Sequence, residues 1–118
     1  MNSIIAAVDD LMFSSRIASA AKQIGIELLF ARSADDVLSQ ARAKSPGLII
    51  FDLNATKLDP IAAITALKAD DVLRAITTLG FVSHVDAVVI AAARAAGIDE
   101  VLARSAFTAR LGEILTTG

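Results

Sequence analysis

Carboxylates stand directly after two short apolar runs of the sequence. Asp9 and Asp10 follow the run at 4–8, and Asp52 follows the run at 48–51. Short, continuous apolar runs are typical of strands in a parallel sheet that is covered on both faces. Ligands bind at the carboxyl ends of such strands, where neighbouring loops converge. Three acids brought together there repel one another unless a cation or a shared proton neutralises them, so this pattern indicates a functional site.

These residue types suit the binding of Mg²⁺ and the transfer of a phosphoryl group. Mg²⁺ takes one or two carboxylates together with water molecules, and Asp10 and Asp52 could supply them, with Asp9 holding a metal-bound water. A carboxylate also attacks phosphorus when a cation and a hydroxyl group stabilise the phosphoryl oxygens. Asp52 is the better candidate nucleophile because it stands alone after the most hydrophobic run. Ser83 offers a hydroxyl after the fourth apolar run, and Arg104 offers a positive charge after the fifth.

The elements that must position these residues alternate strictly between strand and helix patterns. Alternation of this kind predicts βαβ units and a five-stranded parallel sheet with helices on both faces, a three-layer αβα sandwich. A chain of 118 residues has the usual size of one domain, and we expect residues 1–118 to form one. The predicted strands are 3–8, 27–31, 48–52, 76–82 and 99–103; the predicted helices are 13–24, 33–44, one starting at Asp59-Pro60, 86–96 and 105–115.

The composition excludes several classes of function. The apolar run Ala87–Ala93 ends at Arg94 and is too short to span a bilayer, and no basic segment precedes the first apolar run as in a signal peptide. A net charge of −2 with scattered basic residues argues against nucleic-acid binding. The absence of cysteine excludes disulfides and thiolate ligands. We therefore expect a cytoplasmic protein that binds neither membranes nor nucleic acid.

The order and spacing of the polar residues resemble the receiver domain of two-component response regulators, over nearly the whole chain. The resemblance implies the flavodoxin-like topology of that family. In receiver domains an acid pair binds Mg²⁺, and an aspartate after the third strand accepts phosphate from a histidine kinase. An asparagine lends a backbone carbonyl to the metal, while a hydroxyl residue and a lysine contact the phosphoryl group. The residues that match these positions are Val8-Asp9-Asp10, Asp52-Leu53-Asn54 with Asp59 beyond it, Ser83 and Arg104.

The chain departs from the family at the positions that sense and relay phosphorylation. Arg104 stands where family members usually have lysine, and Ser105 where they have proline. Val101 and Leu102 occupy positions where an aromatic residue often turns inward on activation. The acceptor and metal positions are intact. We predict a trans Arg104–Ser105 peptide bond, because a cis bond without proline costs about 3 kcal/mol.

The resemblance implies a stand-alone receiver-like domain in phosphorelay signalling, and not an enzyme. It implies Asp52 as phosphoacceptor, Mg²⁺ as cofactor, and a histidine kinase or phosphotransfer protein as partner. The helix predicted at 86–96 is apolar on more than one face, so we expect it to contact an output protein or a second copy. One alternative is a pseudo-receiver that binds proteins independently of phosphorylation. A less favoured alternative is a small phosphohydrolase with Asp52 as nucleophile, because Asn54 stands where a second acid is needed.

Simpler structural roles remain open for several of these residues. Asp9 and Asp10 could cap the first helix, and Ser83 could cap the fourth. Arg104 could form an ion pair with Asp52 or with a surface acid. His84, the single histidine of the chain, is expected to be a loop residue that faces solvent.

Overall fold

The computed structural model describes residues 3–83 and 86–117. The predicted strands and the first four helices are confirmed, with ends that differ by one or two residues. The strands are β1 (Ser3–Ala7), β2 (Glu27–Phe30), β3 (Leu48–Asp52), β4 (Thr77–Val82) and β5 (Glu100–Ala103). The helices are α1 (Leu11–Ile24), α2 (Ala34–Lys44), α3 (Pro60–Ala69), α4 (Ala87–Ala96), α5 (Arg104–Ala109) and α6 (Leu111–Thr117).

The five strands of the described residues form one parallel sheet in the order β2-β1-β3-β4-β5. From β1 the chain crosses to one side to form β2, and then returns to the other side of β1 to form β3. The crevice between β1 and β3 therefore lies where the direction of winding reverses, which is the usual ligand position in this type of sheet. The predicted flavodoxin-like sandwich is confirmed.

The sheet is covered on both faces, because successive side chains of each strand point to opposite sides. Helices α2, α3 and α4 pack on the face that carries Ile5, Ile49 and Phe51. Helices α1, α5 and α6 pack on the opposite face, where three aromatic rings form the centre. The Phe81 ring centroid lies 4.9 Å from that of Phe13 and 4.8 Å from that of Phe107.

Four helices begin at side chains that cap the free N–H groups of their first turns. The start of α3 at Asp59-Pro60 is confirmed, with the Asp59 carboxylate accepting the Ala62 N–H. Glycines in the left-handed conformation end α1 and α4, at Gly25 and Gly97. The other three capping side chains belong to Asp10, Ser33 and Asp86.

The C-terminal helix differs from its prediction. It is interrupted at Arg110, so that α5 and α6 replace one continuous helix. Gly112, two residues further on, has a low helix propensity and weakens the segment at this point. A 3₁₀ turn at Leu73–Ala75, which the sequence pattern did not predict, precedes β4. Within the described residues, no helix combines the length and the apolar character required to cross a membrane.

Candidate functional site

Asp52 is the buried acid of the candidate site. It is the last residue of β3 and is 6% exposed. Its Oδ1 accepts a hydrogen bond of 3.0 Å from the backbone N–H of Asn54. Burial raises the pKa of the Asp52 carboxyl, and this effect outweighs the lowering by the Asn54 N–H. The charges of Asp9 and Asp10 raise this pKa further, while that of Arg104 lowers it. The fold therefore brings the predicted acids and the predicted cation into one electrostatic environment.

The two acids that follow β1 have different partners. Asp9 is exposed, and its Oδ2 accepts a 3.1 Å hydrogen bond from the backbone N–H of Lys57. Asp10 caps α1, with Oδ1 accepting from the Phe13 N–H at 3.1 Å, so the capping role is confirmed for Asp10. Asp10 Oδ2 lies 3.3 Å from Nη2 of Arg104. The Phe13 N–H, followed by Arg104, lowers the pKa of Asp10 against the opposing effect of burial.

Arg104 is held from two sides. Its guanidinium forms the ion pair with Asp10, and the guanidinium carbon lies 4.1 Å from the centroid of the Phe13 ring. A cation over an aromatic face is stabilised by the ring quadrupole. Phe13 was not among the predicted site residues, although it is the one aromatic residue in the first turn of α1. Every peptide bond of the described residues is trans, so the predicted trans Arg104–Ser105 bond is confirmed.

Asn54 and Ser83 are joined by a contact that the sequence pattern does not predict. The backbone N–H of Ser83 donates to the side-chain Oδ1 of Asn54 at 2.6 Å. Ser83 is exposed at the end of β4. It does not cap α4, because Asp86 caps that helix, so this alternative for Ser83 is wrong. His84 lies outside the described residues.

Two clefts flank the first turn of α1. One has a volume of about 750 Å³ and lies against the Asp10–Arg104 pair, with Phe13, Arg16 and Ser83 among its other lining residues. The second cleft, of about 590 Å³, lies on the side of Asp9 and is also lined by Phe30, Arg32 and Lys57. The first cleft opens beside Asp10 and the second beside Asp9, so small solutes can reach these two carboxylates.

The donor chemistry of the site fits a hard divalent cation. Mg²⁺ needs only one or two carboxylates plus neutral oxygens and water. Asp52 and Asp10 provide the carboxylates, and the backbone carbonyl of Asn54 follows in the same turn. Among the residues that the structure describes, however, no three acidic or histidine side chains are grouped as a metal site. Asp9 is directed to Lys57, and Asp10 to Arg104. A metal at this site therefore has to compete with bonds that the chain makes to itself.

The fold resembles solved structures of receiver domains. A two-component response regulator from Legionella pneumophila has 19% identity and a TM-score of 0.79, with all of both chains covered. The phosphorylated cyanobacterial phytochrome response regulator RcpA has 21% identity and a TM-score of 0.74, covering 98% of this chain and 89% of RcpA.

A third similar structure is the receiver domain of sensor histidine kinase PA1611 from Pseudomonas aeruginosa, with a magnesium ion coordinated in its active-site cleft. It has 17% identity and a TM-score of 0.83, covering 98% of this chain and 94% of that domain. No family model and no curated protein matches the sequence. At these identities the similarities establish the receiver-domain fold of the chain.

Proposed function

We propose that residues 1–118 form a receiver-like signalling domain that accepts a phosphoryl group on Asp52 in a phosphorelay. The observation that carries this proposal is the position of Asp52. It is a buried carboxylate at the carboxyl end of the central strand, with two acids and one arginine acting on it. The receiver fold supports the same assignment. In this role the chain transmits a signal and is not an enzyme.

In the proposed step, a carboxylate oxygen of Asp52 attacks the phosphorus of a phosphodonor. An O–P bond forms, the bond from phosphorus to the donor atom breaks, and its electron pair leaves with the donor. The product is an acyl phosphate on Asp52. The reaction requires the ionised carboxylate. Burial raises the pKa of Asp52, which makes its carboxylate more basic than that of an exposed aspartate.

The negative charge that accumulates on the phosphoryl oxygens needs positive partners. Arg104 supplies a charge that its contacts with Asp10 and Phe13 hold in place. The Ser83 hydroxyl, at the end of the adjacent strand β4, supplies a hydrogen-bond donor. We propose that Asp10, Asp52 and the Asn54 carbonyl would hold Mg²⁺, with Asp9 holding one of its water molecules. The cation would supply further positive charge for the same oxygens.

We further propose that the phosphodonor is a histidine kinase or a phosphotransfer protein in the cytoplasm. For the output side we propose α4, through which the chain contacts an output protein or a second copy. Helix α4 carries Val88 with 78% of its surface exposed, and Ala87 and Ala91 are exposed as well. An exposed valine flanked by small apolar residues on one helix is the surface that such a contact would bury.

A pseudo-receiver remains the second candidate, because specific contacts of this structure favour it. Arg104 is bound to Asp10, and Asp9 is bound to the backbone of Lys57. Both acids are therefore satisfied without a metal. If these bonds persist in solution, the domain would bind its partners without being phosphorylated. The phosphohydrolase is not favoured, because an amide at Asn54 cannot donate a proton to a leaving group.

The two candidates are separated by incubation with Mg²⁺ and acetyl phosphate, followed by intact mass spectrometry. We expect one added phosphoryl group on the wild type and none on Asp52→Asn. The matched control is Asp71→Asn, the same exchange at a side chain that is 94% exposed, and it should behave as the wild type. A wild type without added mass, under conditions that phosphorylate a known receiver domain, would favour the pseudo-receiver.

A further inference from the structure

The turn that carries Asp52 is attached to the neighbouring strand β4 by consecutive residues. The backbone N–H of Leu53 donates to the carbonyl of Phe81 at 3.0 Å. The next residue, Asn54, accepts the N–H of Ser83 on its side-chain oxygen at 2.6 Å. The turn that follows β3 and the end of β4 are therefore joined by one backbone bond and one side-chain bond.

The first of these attachments is rigid. Leu53 is buried, and its side chain lies directly over Gly80 of β4. A Cβ added at Gly80 would lie 2.7 Å from Cδ1 of Leu53 and 2.8 Å from Cδ1 of Ile98, closer than carbon atoms approach. Only glycine at this position leaves room for the leucine. Leu53 therefore fixes the start of the turn against the sheet.

The second attachment is at the surface and connects two candidate functional residues. Asn54 donates its backbone N–H to Oδ1 of Asp52, while its side-chain oxygen holds the N–H of Ser83. Asn54 is half-buried, and Ser83 is exposed. One residue therefore contacts the candidate phosphoacceptor at one end and the backbone of the candidate phosphate-binding serine at the other.

We infer that Asn54 is a positioning residue: its side chain sets the distance of Ser83 from Asp52. This role is distinct from the backbone carbonyl that the same residue would offer to Mg²⁺. The inference rests on the proposed function, because it assumes that Asp52 accepts a phosphoryl group. Since Leu53 holds the turn over Gly80, loss of the Asn54 bond displaces Ser83 and leaves Asp52 in place.

The hydrogen bond between the Ser83 N–H and the Asn54 side chain can be observed by ¹H–¹⁵N NMR on the full chain, without any phosphodonor. A short N–H···O bond moves the amide proton downfield, so the Ser83 amide should shift upfield in Asn54→Ala. Asn54→Asp keeps an acceptor oxygen of the same shape and should retain the downfield position. The control is Thr56→Ala, at an exposed residue two positions further along the chain. An unchanged Ser83 amide in Asn54→Ala would overturn the inference.

The positioning role is measured as the rate of phosphorylation by acetyl phosphate over a range of donor concentrations. For Asn54→Ala we expect the maximal rate to fall about fivefold, the factor that corresponds to ~1 kcal/mol for one hydrogen bond. The concentration of donor at half-maximal rate should stay unchanged. The melting temperature should fall by no more than about 4 °C relative to Thr56→Ala, so the variant stays folded in the assay. A loss of folding alone would not produce this separation.

Failure of the inference differs from failure of the proposed function. If the wild type is phosphorylated and Asn54→Ala reacts at the rate of Thr56→Ala, the positioning role is rejected and the proposed function stands. If the wild type takes up no phosphoryl group at all, the proposed function is rejected, and the positioning role with it.

Discussion

Replacing Asp52 by asparagine should stabilise the folded chain at neutral pH. The wild-type carboxylate is 6% exposed, and burial disfavours its charged form. Asparagine has the same shape and keeps the oxygen that accepts the Asn54 N–H. The substitution therefore removes the charge, and with it the repulsion from Asp9 and Asp10, while it preserves the hydrogen bond.

The structure sets the expected size of this effect. A buried polar group that lacks compensation costs about 1–3 kcal/mol, and a charged one more. The Asn54 N–H and the charge of Arg104 already compensate part of the cost at Asp52. We therefore expect a gain near the lower limit, about 1 kcal/mol, which corresponds to an increase of about 4 °C in melting temperature for a domain of this size.

The dependence on pH has a definite sign. Burial raises the pKa of Asp52 above its ordinary value of 3.8, so the folded chain binds this proton more tightly than the unfolded chain. The stabilisation by the protonated form is complete below pH 3.8, and it is lost as the pH rises through the raised pKa. Asparagine cannot ionise, so its advantage is largest at neutral pH and disappears on acidification.

Urea unfolding of the wild type and of Asp52→Asn, at a series of pH values from neutral to acid, tests this reasoning. Both proteins should lose stability in acid, where Asp10 becomes protonated. The Phe13 N–H and Arg104 lower the pKa of Asp10, so its protonation removes their stabilising effect. The informative quantity is therefore the difference in the free energy of unfolding between the two proteins. Asp71→Asn, at an exposed site, should show no such difference. An advantage of Asp52→Asn that is absent at neutral pH, or that grows on acidification, would refute the argument.

Further substitutions test the other parts of the site and its surroundings. Arg104→Ala should slow phosphorylation by acetyl phosphate about tenfold or more, because a charge-assisted hydrogen-bond donor is lost. Arg104→Lys should restore part of the rate. Equal rates for the wild type and Arg104→Ala would contradict the proposed contact of Arg104 with the phosphoryl oxygens. Mg²⁺ should bind weakly to the wild type and not to Asp52→Ala in calorimetry, and identical isotherms would contradict the metal assignment. Val88→Glu should change the free energy of unfolding by less than about 0.5 kcal/mol, yet weaken self-association in size-exclusion chromatography. A wild type that elutes as a monomer at every concentration would contradict self-association through α4. Gly80→Ala should destabilise the fold by about 1–3 kcal/mol in thermal unfolding, and the additional change Leu53→Ala should recover part of that loss; full stability in the single variant would contradict the close packing.

Most of the fold was predictable because its signals are local. Apolar runs that alternate with segments of helical period are enough to predict a parallel sheet between two helical layers. The start of α3 at Asp59-Pro60 was predicted from capping chemistry alone. The break at Arg110 was not predicted, because the apolar pattern continues through it. The 3₁₀ turn at Leu73–Ala75 was missed because three residues are too few to show a period.

The positions of the candidate site residues were also predictable, but their partners were not. Asp52 lies at the end of β3, as the polar residue after an apolar run indicates. The sequence leaves open whether Arg104 pairs with Asp52 or with another acid, and the structure pairs it with Asp10, 94 positions away. Phe13 was not considered, although its ring lies under the guanidinium.

The sequence by itself determined which chemical groups stand at the ends of the strands, because hydrophobic periodicity is a property of neighbouring residues. Only the tertiary structure decided how those groups are paired. The bond between Asn54 and Ser83 joins residues 29 positions apart, and it forms because β3 and β4 are adjacent and parallel in the sheet. Which donor an oxygen accepts depends on every group within hydrogen-bonding distance, and that set exists only after the strands have assembled.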